Sequence, residues 1–484
     1  MPFFRTIYAN FNLISQQIED LQIKSCETQN AVTKIENDLN ADLSQRLRRA
    51  EQLCESNQAM IEKQMQMIEV LKEANYQKDK ALDFLAKKSE YLAIQQRFNA
   101  KKMLGNPIRV VFLIEEPTLI KNLLTLIEEL DGDNRFDVVL VNLWFKKYNK
   151  DGYEYCSGNL GSVIDVSRYT VYESYDPQKD AWLNLESINP DYVFFSRPYD
   201  FYREESYHIR QVSKYARTCY IPYGIQTVGG EIEKMVLTPE CQHLYYFFLD
   251  NALRREFVNK TLGDTDFKQY GQAIYLGYPG IDMLLQNKQI KNTQKTHFNI
   301  LWLPRWNTTE GNCHFFQYKD VLVDFANAQE NCSVTLRPHP LCFNNFINTG
   351  EMTVEELGQL KEKYTAPHRI DETDGYLDSF SESSVLVADE TSLIAEYFLT
   401  DKPIIFCKKQ THFSLLMEKL IEGCYVVENK EELKETLKAL KNGEDSLMNI
   451  RKSLTKKYLT DLENSSSSYI KEELLADFNA KNLR

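Results

Sequence analysis

Chain breakers are scarce where they would matter most: of 14 prolines only Pro2 falls in the first hundred residues, and none of the 18 glycines does. A stretch that long without either breaker, rich in Gln, Glu, Lys and Leu, has the composition of a helix. Long apolar runs are missing too. No window reaches the roughly 18 to 20 apolar residues that a spanning helix needs, and the start MPFFRTIYANFNL has neither a secretory apolar region nor a cleavage site. The expectation is a cytoplasmic protein, with peripheral attachment at the inner face of the membrane left open. The ten cysteines, from Cys26 to Cys424, form no C-x-x-C pair. This argues against a zinc knuckle, an iron–sulfur site or a thioredoxin-type motif, and leaves buried reduced thiols. Positive charge is also short, with 57 Lys and Arg against 70 Asp and Glu and a net charge of -13. Duplex nucleic acid, bound mainly through phosphate neutralisation, is not an expected partner. Neither G-x-G-x-x-G nor G-x-x-x-x-G-K-[ST] occurs, so nicotinamide cofactors and P-loop chemistry are unsupported. No His, Cys and carboxylate set has zinc-ligand spacing, so no metal site is expected. The string Asp131-Gly132-Asp133 precedes a strand and reads as a solvated turn.

At 484 residues the chain can hold two α/β domains and an extension. In the first hundred residues, Ile14, Ile18, Leu21, Ser25, Thr28, Val32, Ile35 and Leu39 alternate spacings of four and three, the seam of a heptad repeat. A second run passes through Leu43, Leu47, Ala50, Cys54, Asn57, Ile61, Gln64, Ile68 and Leu71, one residue out of phase with the first. Residues 1–104 therefore read as a coiled-coil arm that makes a homo-oligomer through residues 14–71; a helix folded back on its own body is the alternative.

Periodicity changes after Gly105-Asn106-Pro107. Short β-branched runs at 109–114, 136–144, 190–200, 218–224 and 273–282 alternate with helical stretches at about 117–130 and up to about 215. That alternation marks a parallel sheet covered by helices, here a first Rossmann-like domain over 105–290. The polar segment 286–297 separates it from a second such domain over 291–430, with strands at 298–306, 333–340, 384–390 and 402–409. Residues 431–484 read as charged helices with frayed stretches at 464–469 and 479–484.

Ligands in open parallel sheets bind beyond the carboxyl ends of strands. Arg305 lies there after FNILWLP, and Arg337 and His339 lie there after SVTL; such cations can hold phosphate oxygens. Alternatively, Arg337 pairs with a core carboxylate and His339, between two prolines, shapes a turn. In SVLVADETSLIAEYF a buried strand ends at Ala388, and Asp389-Glu390-Thr391-Ser392 precede a helix that starts near Leu393. Thr391 and Ser392 either offer hydroxyls and amides to a pyrophosphate or simply cap the helix. Glu396, one turn on, could accept from ribose or glycerol hydroxyls. In the first domain, Tyr223 and Gly224 in IPYG, and Gly277 and Pro279 in LGYPGID, are read as cleft loops, with Glu115 and Glu116 facing the same cleft.

LPRW (303–306), LRPHP (336–340) and ADETSLIAEYFLTDKPIIF (388–406) together resemble the CDP-glycerol glycerophosphotransferase family of teichoic-acid and capsule synthesis. The resemblance is close over about 298–410 and loose over 107–285. It implies a GT-B fold, two Rossmann-like domains facing a cleft. It maps Asp389, Thr391, Ser392, Glu396 and Lys402-Pro403-Ile404-Ile405 onto the family pattern of Asp-x-Ser-Ser, an acidic residue and a Lys/Arg-Pro-Ile-Ile run. It implies a nucleotide-diphosphate donor, CDP-linked, no obligatory cofactor, and a glycan or lipid-linked acceptor. Where better-known members carry His-Gly, with the His implied as base, this chain has Tyr223-Gly224. A phenol is a poor base at neutral pH. Glu115 is the substitute by position, with Tyr223 and His339 as further catalytic candidates. Alternatives are a GT-B glycosyltransferase using a nucleotide sugar, or a non-catalytic assembly subunit.

Overall fold

The computed structural model describes residues 2–149, 152–229, 237–263, 265, 267–286, 297–309, 311, 313–373, 375–408 and 412–480. It divides into two compact units, 1–87 and 88–484. The polar segment at 287–296 lies outside the described residues.

The first unit is helix throughout its described length, part of one element spanning Pro2–Leu104. Its seam residues Ile14, Ile18, Leu21, Val32, Ile35, Leu39, Leu43, Leu47, Ile61, Ile68 and Leu71 are all exposed within the single chain. The turn-free sequence accounts for its length, and its apolar stripe is covered by nothing in its own unit.

The second unit is built on two parallel sheets. Ile108–Ile114 (β1), Phe136–Asn142 (β2), Thr170–Glu173 (β5), Tyr192–Phe195 (β8), Arg217–Tyr220 (β9), Tyr246–Phe248 (β10) and Gln272–Ile274 (β11) form a seven-stranded sheet. Its order is β11-β10-β9-β8-β1-β2-β5. Two small antiparallel pairs, β3 (Phe145–Asn149) with β4 (Gly152–Cys156) and β6 (Tyr175–Asp176) with β7 (Ala181–Trp182), stand beside it in sequence. The second sheet has six strands: Phe298–Leu303 (β12), Cys332–Leu336 (β13), Arg369–Ile370 (β14), Val385–Ala388 (β15), Ile404–Cys407 (β16) and Tyr425–Val427 (β17). They run in the order β14-β13-β12-β15-β16-β17. Every pairing within both sheets is parallel. The continuous apolar runs of β1, β12 and β15 follow from burial on both faces.

Several boundaries differ from the sequence reading. The helix expected at 117–130 is a 3-10 stretch, Pro117–Asn122, followed by an α-helix, Leu124–Asp131. The one expected up to Tyr215 shrinks to Ile209–Val212, preceded by two 3-10 turns. The strand expected over 273–282 stops at Ile274, and Pro279 opens a helix, Pro279–Gln286, where a proline costs no hydrogen bond. Seven of the ten cysteines are buried and all are free thiols.

The stretch 464–469 is not frayed. Ser466 and Ser467 are buried at the start of the helix Ser466–Asn479, where Asp282 accepts from both backbone amides at 3.0 and 2.9 Å. This helix returns to the first sheet. Its Asp477 accepts from Tyr192 at 2.5 Å and Tyr245 at 2.7 Å and forms an ion pair with Arg217. The last turns of the long helix join the same core through buried Ile94 and Phe98, with Lys101 paired to Asp191 at 2.5 Å.

Candidate functional site

The carboxyl ends of the two sheets meet. Beyond β9 the chain makes the turn Pro222-Tyr223-Gly224, and beyond β15 it makes Asp389-Glu390-Thr391-Ser392. A Cβ on Gly224 would sit 3.3 Å from Ser392 Oγ, so the two turns approach each other closely here. Asn122 holds the turn from behind, donating to Pro222 O at 2.8 Å and Ile221 O at 3.3 Å. Nearby the halves are stitched together: Ser414 donates from its amide to Thr227 O at 2.8 Å and from its hydroxyl to Gln226 O at 2.7 Å.

Ser392 precedes the short helix Leu393–Tyr397 and makes no side-chain cap bond to it; its hydroxyl is directed at Gly224. Thr391 is half-buried, with its hydroxyl 3.4 Å from the amide of Leu393. Arg305 is tied through its amide to Asp389 at 2.8 Å, and its guanidinium donates to Glu390 O at 3.2 Å, so it lies against the loop that carries Thr391 and Ser392. His339 is exposed and stacks on Trp306 with ring centroids 5.5 Å apart. Its Nδ1 accepts the Leu341 amide at 3.1 Å. In the neutral ring that bond leaves the proton on Nε2.

The other expected groups hold the frame. Asp389 is buried and receives the amides of Arg305 and His314, with the His314 ring at 2.5 Å on its second oxygen. It clamps the loops after β12 and β15 and does not point to a ligand. Arg337 is directed at Asp371 (2.7 Å) and at the carbonyl of Thr373 (2.8 Å), the core-carboxylate alternative that its sequence position left open. Burial would raise the Asp371 carboxyl, but hydrogen bonds from Ser379 and Thr373 and the Arg337 charge outweigh it and hold it at about 2. Glu396 is buried, hydrogen-bonded by Tyr376 and 3.7 Å from Lys121, whose ammonium lies 4.3 Å over the Tyr376 ring. It links the two sheets and is closed to a ribose. Lys402 is buried against Phe380 O and Ser381 O at 2.7 and 3.0 Å.

In the first sheet, Glu115 does not face the cleft. It is fully buried, 2.5 Å from Arg203 and 3.5 Å from Arg197; burial pushes its carboxyl up and the two guanidinium groups pull it back. A carboxylate so enclosed cannot reach an acceptor hydroxyl. Glu116 pairs with Arg197 at 2.6 Å. Gly277 and Pro279 also leave the cleft: a Cβ on Gly277 would run into Ser466, and Pro279 O accepts from Thr125 at 3.1 Å, under the C-terminal helix. Tyr223 stays at the junction, half-exposed, with its hydroxyl 3.3 Å from that of Tyr199.

Sequence reasoning missed His314, Lys121, Tyr376 and Tyr199. Trp306 lay inside the LPRW motif and could have been found with it; the others sit outside any motif and meet their partners across at least 20 residues.

Among the described residues, no group of His, Cys, Asp and Glu is arranged to hold a metal ion, and no helix is long and apolar enough to cross a membrane. No curated protein matches the chain in sequence. Solved structures share its fold. A variant of the wall teichoic acid polymerase TagF superposes with TM-score 0.51 at 12% identity, over 81% of this chain and 98% of that one. MnaA of S. aureus, solved with UDP, gives TM-score 0.50 at 10% identity, over 77% and 97%. A UDP-N-acetylglucosamine 2-epimerase gives 0.50 at 12%, over 78% and 98%. The two parallel sheets meeting at their carboxyl ends are the GT-B arrangement that the motifs imply. Residues 235–475, which carry the second sheet with LPRW, LRPHP and ADETS, match the family profile, and the chain belongs to the CDP-glycerol:poly(glycerophosphate) glycerophosphotransferase family.

Proposed function

We propose that the chain transfers glycerol phosphate, or a related polyol phosphate, from a CDP-linked donor to a hydroxyl of a surface glycan. The observation that carries this reading is the family match over the second sheet, and the meeting of Gly224 with Ser392 supplies the place. The donor diphosphate lies along the loop after β15, with Thr391 and Ser392 donating hydroxyls, Arg305 contributing positive charge from the adjoining loop and His339 donating from Nε2. Trp306 backs the imidazole. The acceptor oxygen attacks the phosphorus that carries the glycerol in line, the bond to the bridging oxygen breaks, and CMP leaves. Such a transition state is loose, so positioning and charge stabilisation matter more than a strong base. Tyr223, opposite Ser392 at the junction, is placed to orient the acceptor hydroxyl. Asp389, Arg337 and Glu396 act as positioning residues through the loops they hold.

The arm works as the oligomerisation element through the seam at 14–71, whose apolar residues are exposed in the single chain. The protein acts at the inner face of the membrane as a peripheral component, where a lipid-linked acceptor would be found.

Incubation with CDP-glycerol and a glycerol phosphate oligomer tests the reaction. The expected products are CMP and a new phosphodiester, with turnover in Ser392→Ala lowered at least tenfold. With a nucleotide sugar in place of CDP-glycerol, release of a nucleoside diphosphate with formation of a glycoside would instead assign attack at a sugar carbon.

A further inference from the structure

An aromatic strip leads over the surface of the first sheet's domain to the junction. Its far end is the β3–β4 hairpin, where Tyr148 and Tyr153 are paired across the strands and therefore share one face, ring centroids 5.7 Å apart. They are 54% and 52% exposed. Tyr148 contacts Tyr202 at 6.5 Å and donates to Phe201 O at 3.1 Å. Phe201, 54% exposed, packs on Tyr202 at 4.1 Å and on Tyr199 at 5.7 Å. Tyr199 in turn meets Tyr223, the residue beside Gly224. Three elements far apart in sequence thus deliver six rings to one continuous track that ends where Ser392 sits.

Rings left this exposed on a folded surface need a reason, since large apolar patches mark contact sites. The composition names the occupant. Five of the six rings are tyrosines and none of the track is aliphatic, so every step but Phe201 carries a hydroxyl beside its apolar face. A polyol or sugar chain matches it: its C–H faces carry partial positive charge and lie on the electron-rich ring faces, while its hydroxyls take the phenol oxygens. At the far end the Lys146 ammonium stands 5.2 Å over the Tyr153 ring, a partner for an anionic phosphate between polyol units.

We propose that this strip is the acceptor-binding track, which holds several units of a polyhydroxylated chain and feeds its terminal hydroxyl to the junction. The assignment rests on the transferase reading for its direction, but the binding itself does not. Tyr199, half-buried and bonded to Tyr223, sets the end of the track.

Isothermal titration of the full-length protein with a synthetic glycerol phosphate tetramer, and separately with a neutral hexose tetrasaccharide, tests it. At least one oligomer binds the wild type, and the one that binds identifies the repeat. Tyr148→Ala/Tyr153→Ala/Phe201→Ala weakens that binding at least tenfold, with CDP-glycerol affinity and melting temperature unchanged. Tyr153→Ala alone, at a ring that contacts Tyr148, Tyr155 and Lys146, weakens it about threefold and guards against a shifted hairpin. Unchanged affinity in the triple variant, or no binding of either oligomer, overturns the track. So does sedimentation of the wild type but not the variant with phosphatidylglycerol vesicles when neither oligomer binds, which would make the strip a lipid contact. Oligomer binding that the variant loses, in a protein that ignores CDP-glycerol, would keep the track and remove the donor reading.

Discussion

Asp371 gathers four donors just after β14: the hydroxyls of Ser379 and Thr373, the Thr373 amide and the guanidinium of Arg337. Its carboxyl is held at about 2, against about 4 for an unfolded aspartate. Because the folded value is the lower one, the stabilisation is present in full above pH 4 and is lost as pH falls towards 2. Melting temperatures of the wild type and Asp371→Asn should therefore differ at pH 6 and converge between pH 4 and pH 2. A constant gap over that range would show that the charge on Asp371 contributes nothing. Arg337 illustrates what sequence could and could not tell at this scale. Its place at a strand end was legible because SVTL is an unbroken buried run. Its partner was not, since Asp371 follows a two-residue strand that no periodicity marks. Glu115 was misread for a related reason. A carboxylate after a strand looks like a cleft residue until Arg203, fully buried, is seen beside it.

The elements that could be read in advance are those with strong periodicity. Strands β1, β2, β12, β13, β15 and β16 are near-continuous apolar runs because both faces of each sheet are covered. The edge strands β5, β14 and β17 and the short β10 escaped notice, being two to four residues long. The first turn of the C-terminal helix was read as a frayed stretch because its serine-rich start is polar; Asp282 satisfies the amides of that buried start. The long helix was legible in full, and its exposed seam carries a consequence for assembly. Light scattering should report an oligomer for the full-length chain and a smaller species for Ile18→Asp/Ile35→Asp/Ile61→Asp, whose charges would stand on the seam. A full-length chain that scatters as a monomer would contradict the coiled-coil assignment.

At the scale of the molecule, two parallel sheets that share one apolar cluster, with Phe112 and Phe194 on one side and Leu303 and Ala388 on the other, are held carboxyl end to carboxyl end by Ser414 on Thr227 and Gln226 and by Lys121 beside Glu396. Around this junction the donor reading uses Ser392, Thr391, Arg305 and His339, with Tyr223 opposite. The donor site therefore depends on the junction where Gly224 meets Ser392. The backbone of Gly224 does not need positive φ, so a larger residue would crowd Ser392 without straining the turn. The affinity of Gly224→Leu for CDP-glycerol, measured by titration calorimetry beside the wild type, tests this directly. A dissociation constant raised at least tenfold at an unchanged melting temperature is the predicted result, and an affinity equal to that of the wild type would contradict a donor site at this junction.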